Sequence, residues 1–193
     1  MIRFTEPSPH NKTHQNFSPI GFTPSHDAVV VRLFDQSSTM GAASAQEMAE
    51  VARQCEKALY ATGKRIRIID IAFDSHARVL PRPRFAQADP AGLDLRLGGS
   101  TNIREALETA CSELLVARPA RSTANYAPLE VLLLVSDGKY HAAAKPDAIA
   151  QTLKTTGVQI MAVAAGPSPN LKRLQWLASS PAQLHVPHVE GFS

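Results

Sequence analysis

From Ala28 onward, apolar residues alternate between two arrangements, short continuous runs and helical spacing. Val29 to Phe34 is a compact apolar run, the pattern of a central parallel strand covered on both faces. Ser44 followed by Glu47 forms a capping box, and Met48, Val51, Cys55 and Leu59 recur at helical spacing until Gly63 ends the helix. Ile66 to Phe73 reads as the next strand, and Arg78 to Leu80 as a short edge strand after the turn at Asp74-Ser75-His76. Pro81 to Leu97, broken by prolines at 81, 83 and 90, is irregular and is expected to wrap a sheet edge.

Helical spacing returns with Ile103, Ala106, Leu107, Ala110, Leu114 and Leu115 and stops before Pro119. A polar loop from Ala120 to Pro128 leads into the apolar strand Val131 to Val135. Pro146 suits the first position of a helix carrying Ile149 and Leu153, with Gly157 as its terminator. Val158 to Ala165 predicts a buried strand, Ser168 and Pro169 the cap of a helix with Leu171, Leu174 and Leu177, and Leu184 to Pro187 a last short strand. Five or six largely parallel strands interleaved with helices define a doubly wound, Rossmann-like α/β sheet with helices on both faces.

Residues 1–26 lack this patterning. They are rich in Pro, Ser, Thr, His and Asn, a composition that buries too little apolar surface to offset the entropy of ordering, and so predict an extended arm. His10, His14 and His26 are polar residues of that arm, since their spacing matches no compact ligand set. The expected folded domain is 27–188, followed by a short tail at 189–193.

A chain of 193 residues with 44% apolar content fills one domain core and is short for two. The formal charge of +3 comes from scattered basic residues, grouped locally at Arg78, Arg82 and Arg84 and at Arg118 and Arg121. With 6% aromatic content and no dense basic stripe, the pattern is that of a solvated surface and not of a nucleic-acid footprint. Cys55 and Cys111 fall on or beside apolar helix faces and read as reduced, buried thiols. The first residues lack a secretory signal and no run is long and apolar enough to span a bilayer. The expectation is a cytoplasmic protein that engages neither membrane nor nucleic acid.

Candidate chemistry gathers at the ends of two strands. The first apolar run closes on Asp35-Gln36-Ser37-Ser38-Thr39, a carboxylate with hydroxyls two and four residues on. Gly98-Gly99-Ser100-Thr101 places paired glycines and a hydroxyl at the mouth of the helix beginning near Ile103. The Val131 to Val135 strand ends in Ser136-Asp137-Gly138, a second acid at a second strand end. Hard oxygen donors of this kind suit Mg²⁺, with Mn²⁺ or Ca²⁺ as alternatives. In a doubly wound sheet, sites form outside the carboxyl ends of strands where the strand order reverses, so two neighbouring strands would bring Asp35 and Asp137 into one crevice.

The order Asp-x-Ser-x-Thr, Gly-Gly-Ser-Thr and a strand closing on Ser-Asp-Gly resembles the metal-ion-dependent adhesion site of von Willebrand factor A domains, over roughly residues 28–187. The resemblance implies Asp35, Ser37, Thr39, Thr101 and Asp137 as metal ligands. It further implies a non-enzymatic module whose bound cation takes a Glu or Asp of a partner protein as its remaining ligand. Ser38 stands where the family usually has Gly, and Thr39 where it usually has Ser. The motif endings, with Ile71-Ala72-Phe73-Asp74-Ser75, are similar to those of bacterial tellurite-resistance-associated members. That likeness implies a kinase, phosphatase or AAA-type ATPase as partner, and a monomer or a component of a hetero-complex.

Other readings are thinner. The phosphate-loop, dinucleotide-turn, nucleophile-elbow and H-E-x-x-H motifs are absent. A Mg-dependent phosphatase using Asp35 as nucleophile is the enzymatic alternative, but Ser37 occupies the place of its second acid and Lys139 is the nearest lysine to Asp137. A scaffold of the same fold with a decayed metal site is the other alternative, on the ground of Ser38. Asp70 and Asp74 read as turn and surface acids, and His76, His141, His185 and His188 as surface residues.

Overall fold

The computed structural model describes residues 26–41, 44–81, 97–118, 128–141 and 145–187. The expected arm through residue 25, most of the irregular segment, most of the loop before Pro128 and the expected tail lie outside the described residues. The described residues form β1 (Ala28–Asp35), α1 (Ser44–Ala61), β2 (Ile66–Phe73), β3 (Ala77–Val79), α2 (Ile103–Ala117), β4 (Leu129–Ser136), α3 (Asp147–Thr155), β5 (Gln159–Ala164), α4 (Leu171–Leu177) and β6 (Leu184–His185). They build one six-stranded sheet in the order β3-β2-β1-β4-β5-β6. Five strands run parallel, and the short edge strand β3 pairs antiparallel with β2.

Chain direction decides which face each helix covers. The crossover from β1 to β2 moves one way along the sheet, and those from β2 to β4, β5 and β6 move the other. Right-handed crossovers in opposite directions leave their helices on opposite faces. Residues of α2, α3 and α4 accordingly share a core with Val31, Leu33, Ile71, Leu132 and Ile160, whereas Met48 and Ala52 of α1 pack with Phe34, Val135 and Val163. Cys55 and Cys111 are free thiols on α1 and α2, one on each side of the sheet. The carboxyl ends of β1 and β4, paired along Ala28↔Leu129 to Phe34↔Val135, form the point where the strand order reverses.

Several element ends differ from expectation for local reasons. Pro146 occupies the cap of α3 and not its first turn. Helix α4 is capped by Asn170, whose side chain accepts the Arg173 N–H, in place of Ser168 and Pro169. Glu47 Oε2 accepts the Gly166 N–H at 3.3 Å, so it braces the loop after β5. The side chain of Ser44, its expected capping partner, lies outside the described residues.

Asp70 is a correction: it is buried inside the sheet layer, not on the surface. Alternation along β1 turns Arg32 toward α1, where it is fully buried. There its Nε and Nη2 donate to the two Asp70 oxygens at 2.6 and 2.8 Å, its Nη1 to the Ala52 carbonyl at 2.8 Å and its Nη2 to Glu56 at 2.7 Å. Burial opposes charge on the guanidinium, but the Asp70 bonds and the Asp70 and Glu56 charges outweigh it and raise its pKa. Asp70 and Glu56 come from two elements, so the cluster ties β2 and α1 to β1.

Removing one partner of a buried ion pair strands the other charge. Asp70→Asn is expected to lower stability by about 3 kcal/mol in urea unfolding. The double variant Arg32→Met/Asp70→Leu should recover most of that loss, and a single-variant loss below about 1 kcal/mol would contradict the assignment.

Candidate metal centre

Asp35 ends β1 completely buried, and its Oδ1 accepts the Ser37 N–H at 2.9 Å. That two-residue turn directs the chain into a 3₁₀ turn at Ser38–Met40 and sets the Ser37 and Thr39 hydroxyls 3.1 Å apart. Asp35 and Ser37 are buried while Ser38 and Thr39 are exposed, so the loop runs from the protein interior to the surface. Lys145 alone among the described non-glycine residues has positive φ, so Ser38, which stands where the family usually has Gly, does not adopt the left-handed conformation that favours glycine. Ser38 has its own role: its N–H and Oγ both donate to the Gly99 carbonyl, at 3.2 and 3.1 Å.

These bonds, with Gly98 N–H donating to the Gln36 carbonyl at 2.7 Å, join the glycine loop to the first loop. Gly99 has φ 69°, and a Cβ there would stand 2.7 Å from Ser75 Oγ, so both conformation and space require glycine. Thr101 follows, buried, at the entrance of α2. Helix capping falls instead to Asn102, whose side chain accepts the Glu105 N–H at 3.3 Å.

The third loop supplies Asp137, also completely buried. Ser136 Oγ donates to Asp35 Oδ2 at 2.6 Å and accepts the Gly138 N–H at 3.0 Å, linking the ends of β1 and β4 directly. Asp137 Oδ1 accepts the Lys139 N–H at 2.9 Å, and its Oδ2 has no hydrogen-bond partner. Lys139 Nζ stands 3.4 Å from that oxygen, within ion-pair range but without hydrogen-bond alignment. Gly138, at φ 68°, has Leu174 Cγ 2.9 Å from where a Cβ would lie.

Burial pushes the Asp35 carboxyl up to about 6; its bonds from Ser136 and Ser37 pull the other way, and the Asp137 charge adds to the rise. Both Asp35 oxygens already accept a hydrogen bond. Asp137 Oδ2 accepts none, and the Ser37 and Thr39 hydroxyls bond to each other. Among the described residues no three His, Cys, Asp or Glu side chains converge as metal ligands, so a cation here would rest on two carboxylates and neutral hydroxyls. A buried carboxylate oxygen without a hydrogen-bond partner, in a donor set otherwise of hydroxyls and a second carboxylate, fits a hard divalent ion.

Of the expected residues, Asp35, Ser37 and Thr39 are joined through one loop, Asp137 reaches Asp35 through Ser136, and Thr101 is brought in by its loop. Asp74 is the turn acid expected, accepting the His76 N–H at 3.1 Å. Sequence reasoning missed Ser136, whose hydroxyl bridges the strand ends. Its signal was the Ser of Ser-Asp-Gly, a motif in which only Asp137 had been given a role.

Residues 30–193 match the von Willebrand factor type A domain family. The chain belongs to that family. Similar solved structures include proximal thread matrix protein 1 from mussel byssus with a zinc-occupied MIDAS motif, 20% identical with a TM-score of 0.67. That match covers 84% of this chain and 44% of the mussel protein, so the chain spans less than half of its length. Manganese-loaded TRAP protein of Plasmodium vivax is 15% identical with a TM-score of 0.66, covering 84% and 69% of the two chains. BatB from Bacteroides thetaiotaomicron, a conserved hypothetical protein, is 15% identical with a TM-score of 0.58, covering 82% and 89%. These likenesses establish the von Willebrand factor A fold. No curated protein matches the chain. No helix among the described residues is long and apolar enough to cross a membrane.

The Asp35 shift has a defined sign in metal-free protein. Its folded pKa near 6 exceeds the ordinary 3.8, so its contribution to stability is full below the unfolded value and is lost as pH rises through the folded one. In chelator-treated protein, Asp35→Asn should therefore gain on wild type between about pH 4 and pH 7, by up to about 3 kcal/mol. Thermal melts across that window check it, and a constant difference between the two proteins would refute it.

Proposed function

We propose that this von Willebrand factor A domain is a protein-binding module that takes an acidic side chain of a partner through a divalent cation held by Asp35, Ser37, Thr39, Thr101 and Asp137. The observation that carries the reading is Asp137 Oδ2, buried without a hydrogen-bond partner in a protein where such atoms are ordinarily satisfied. The cation supplies an electrophilic point that accepts one more oxygen ligand, because few formal charges surround it.

The chain's own residues divide the remaining work. Ser37 and Thr39 present neutral oxygens, and Thr39 does so at the solvent-facing end where a partner can approach. Ser136 and the Ser37 N–H hold Asp35 in place so that its charge acts on the pocket. The Ser38 and Gly98 bonds keep the Thr101 loop against the first loop. Mg²⁺ suits this hard-oxygen set, with Mn²⁺ or Ca²⁺ as alternatives, and the zinc- and manganese-bearing relatives support divalent binding in this fold.

Bond breaking has no place in the reading. Ser37 stands where aspartyl-phosphate chemistry needs its second acid, and the lysine of the site lies beside Asp137. The domain is taken as 27–188, with the preceding arm and the tail outside it. A kinase, phosphatase or AAA-type ATPase remains the partner class proposed, on the likeness of the motif endings to tellurite-resistance-associated members.

Metal binding is tested by thermal melts after chelation. Saturating Mg²⁺ or Mn²⁺, at about 100 times Kd, should stabilise wild type by about 2.7 kcal/mol. For a domain of this size that is a rise in Tm of roughly 5–10 °C. The rise should vanish in Asp35→Ala; no rise in wild type at millimolar metal would favour the decayed-scaffold alternative. Capture of a partner that is lost on chelation and in Asp35→Ala would support the docking mechanism, and capture indifferent to both would refute it.

A further inference from the structure

We propose that the Lys139 ammonium is a tethered counter-ion for Asp137 in the metal-free protein, one that a divalent cation must displace to bind. The inference rests on the metal-binding reading above and concerns how that site is regulated.

Lys139 Nζ lies 3.4 Å from Asp137 Oδ2, the buried oxygen that lacks a hydrogen-bond partner. One side of this ion pair has no exposure to water while the lysine side chain is 38% exposed. The pair is thus unlike the exchangeable contacts between two surface residues. Water does not screen the carboxylate, and the ammonium retains a path to solvent along which its flexible stem can withdraw.

The backbone holds the lysine over the carboxylate. Gly138, at φ 68° and with no room for a Cβ beside Leu174 and the Asn170 carbonyl, turns the chain back, and the Lys139 N–H donates to Asp137 Oδ1 at 2.9 Å. On the far side, Arg173 Nη1 donates to the Tyr140 carbonyl at 2.6 Å and its guanidinium stacks 4.7 Å from the Tyr140 ring centroid. The Asn170 N–H donates to the Asp137 carbonyl at 2.7 Å. Residues 137–140 are therefore anchored at both ends, and the freedom left to Lys139 is in its side chain.

An ammonium and a divalent cation cannot both sit against one carboxylate oxygen, because their repulsion at such separations is large wherever water is excluded. Metal binding then becomes an exchange of one cation for another. Its affinity is lower than the oxygen donors alone would give, and loss of metal leaves the buried carboxylate neutralised.

The test uses the full chain with Mn²⁺ as the probe, measured by calorimetry in wild type, Lys139→Met and Lys139→Arg, alongside melts in chelator. Lys139→Met should bind Mn²⁺ about tenfold more tightly than wild type and melt at a lower temperature when metal-free, whereas Lys139→Arg should stay near wild type on both counts. Opposite movement of the two readouts separates a counter-ion from a residue that merely packs. Equal or weaker Mn²⁺ affinity in Lys139→Met would overturn the inference and leave the metal site standing. Absence of Mn²⁺ binding in all three proteins would overturn the metal-binding reading and this inference with it.

Discussion

Two carboxylates, Asp35 and Asp137, are completely buried at the carboxyl ends of adjacent parallel strands, and the surrounding loops are shaped by that constraint. Burial disfavours charge on Asp35, and the neighbouring Asp137 charge makes its ionisation harder still. The Ser136 hydroxyl and the Ser37 N–H offset part of this cost by donating to Asp35. What remains is one buried carboxylate oxygen, Asp137 Oδ2, with no proton donated to it. Such an arrangement suits a cation better than it suits the metal-free protein, and it lies at the switch point of the von Willebrand factor A fold.

Arg32 shows how the same domain treats a buried charge that is not kept for binding. Its guanidinium donates to both Asp70 oxygens, to Glu56 and to a backbone carbonyl, so the charge is matched within the protein. Arg32 and Asp35 lie three residues apart on β1. One is closed by partners from β2 and α1 and holds elements together; the other is left short of a ligand. The two buried clusters thus differ in how fully their charges are satisfied within the protein.

Most of the fold was legible because the hydrophobic periods are unmixed. The run Val29 to Phe34 and the spacing of Ile103, Ala106, Leu107, Ala110 and Leu114 each admit one element type, and both appear where expected. Helix ends were less legible: Ser168, Pro169 and Asn170 are all plausible caps, and only the turn that brings Asn170 to the Asp137 carbonyl selects among them. Asp70 was misread because an acid near a strand end looks like a turn former. Its burial depends on Arg32, 38 residues away, being turned to the same face in register.

The chain by itself determined the donors and their order: Asp35, Ser37 and Thr39 in one loop, Thr101 after paired glycines, and Asp137 at the end of an apolar strand. Those are local facts, carried by neighbouring residues and by the alternation of strand and helix. Tertiary structure alone decided that β1 and β4 are neighbours, and hence that Ser136 reaches Asp35 across 101 positions. It also decided that Ser38 serves as a clasp on Gly99, and that the Lys139 ammonium lies beside the unpartnered Asp137 oxygen. The physical reason is common to all three. Hydrogen bonds and charges act over a few ångströms in space, and separation along the chain does not reveal which groups folding will bring within that range.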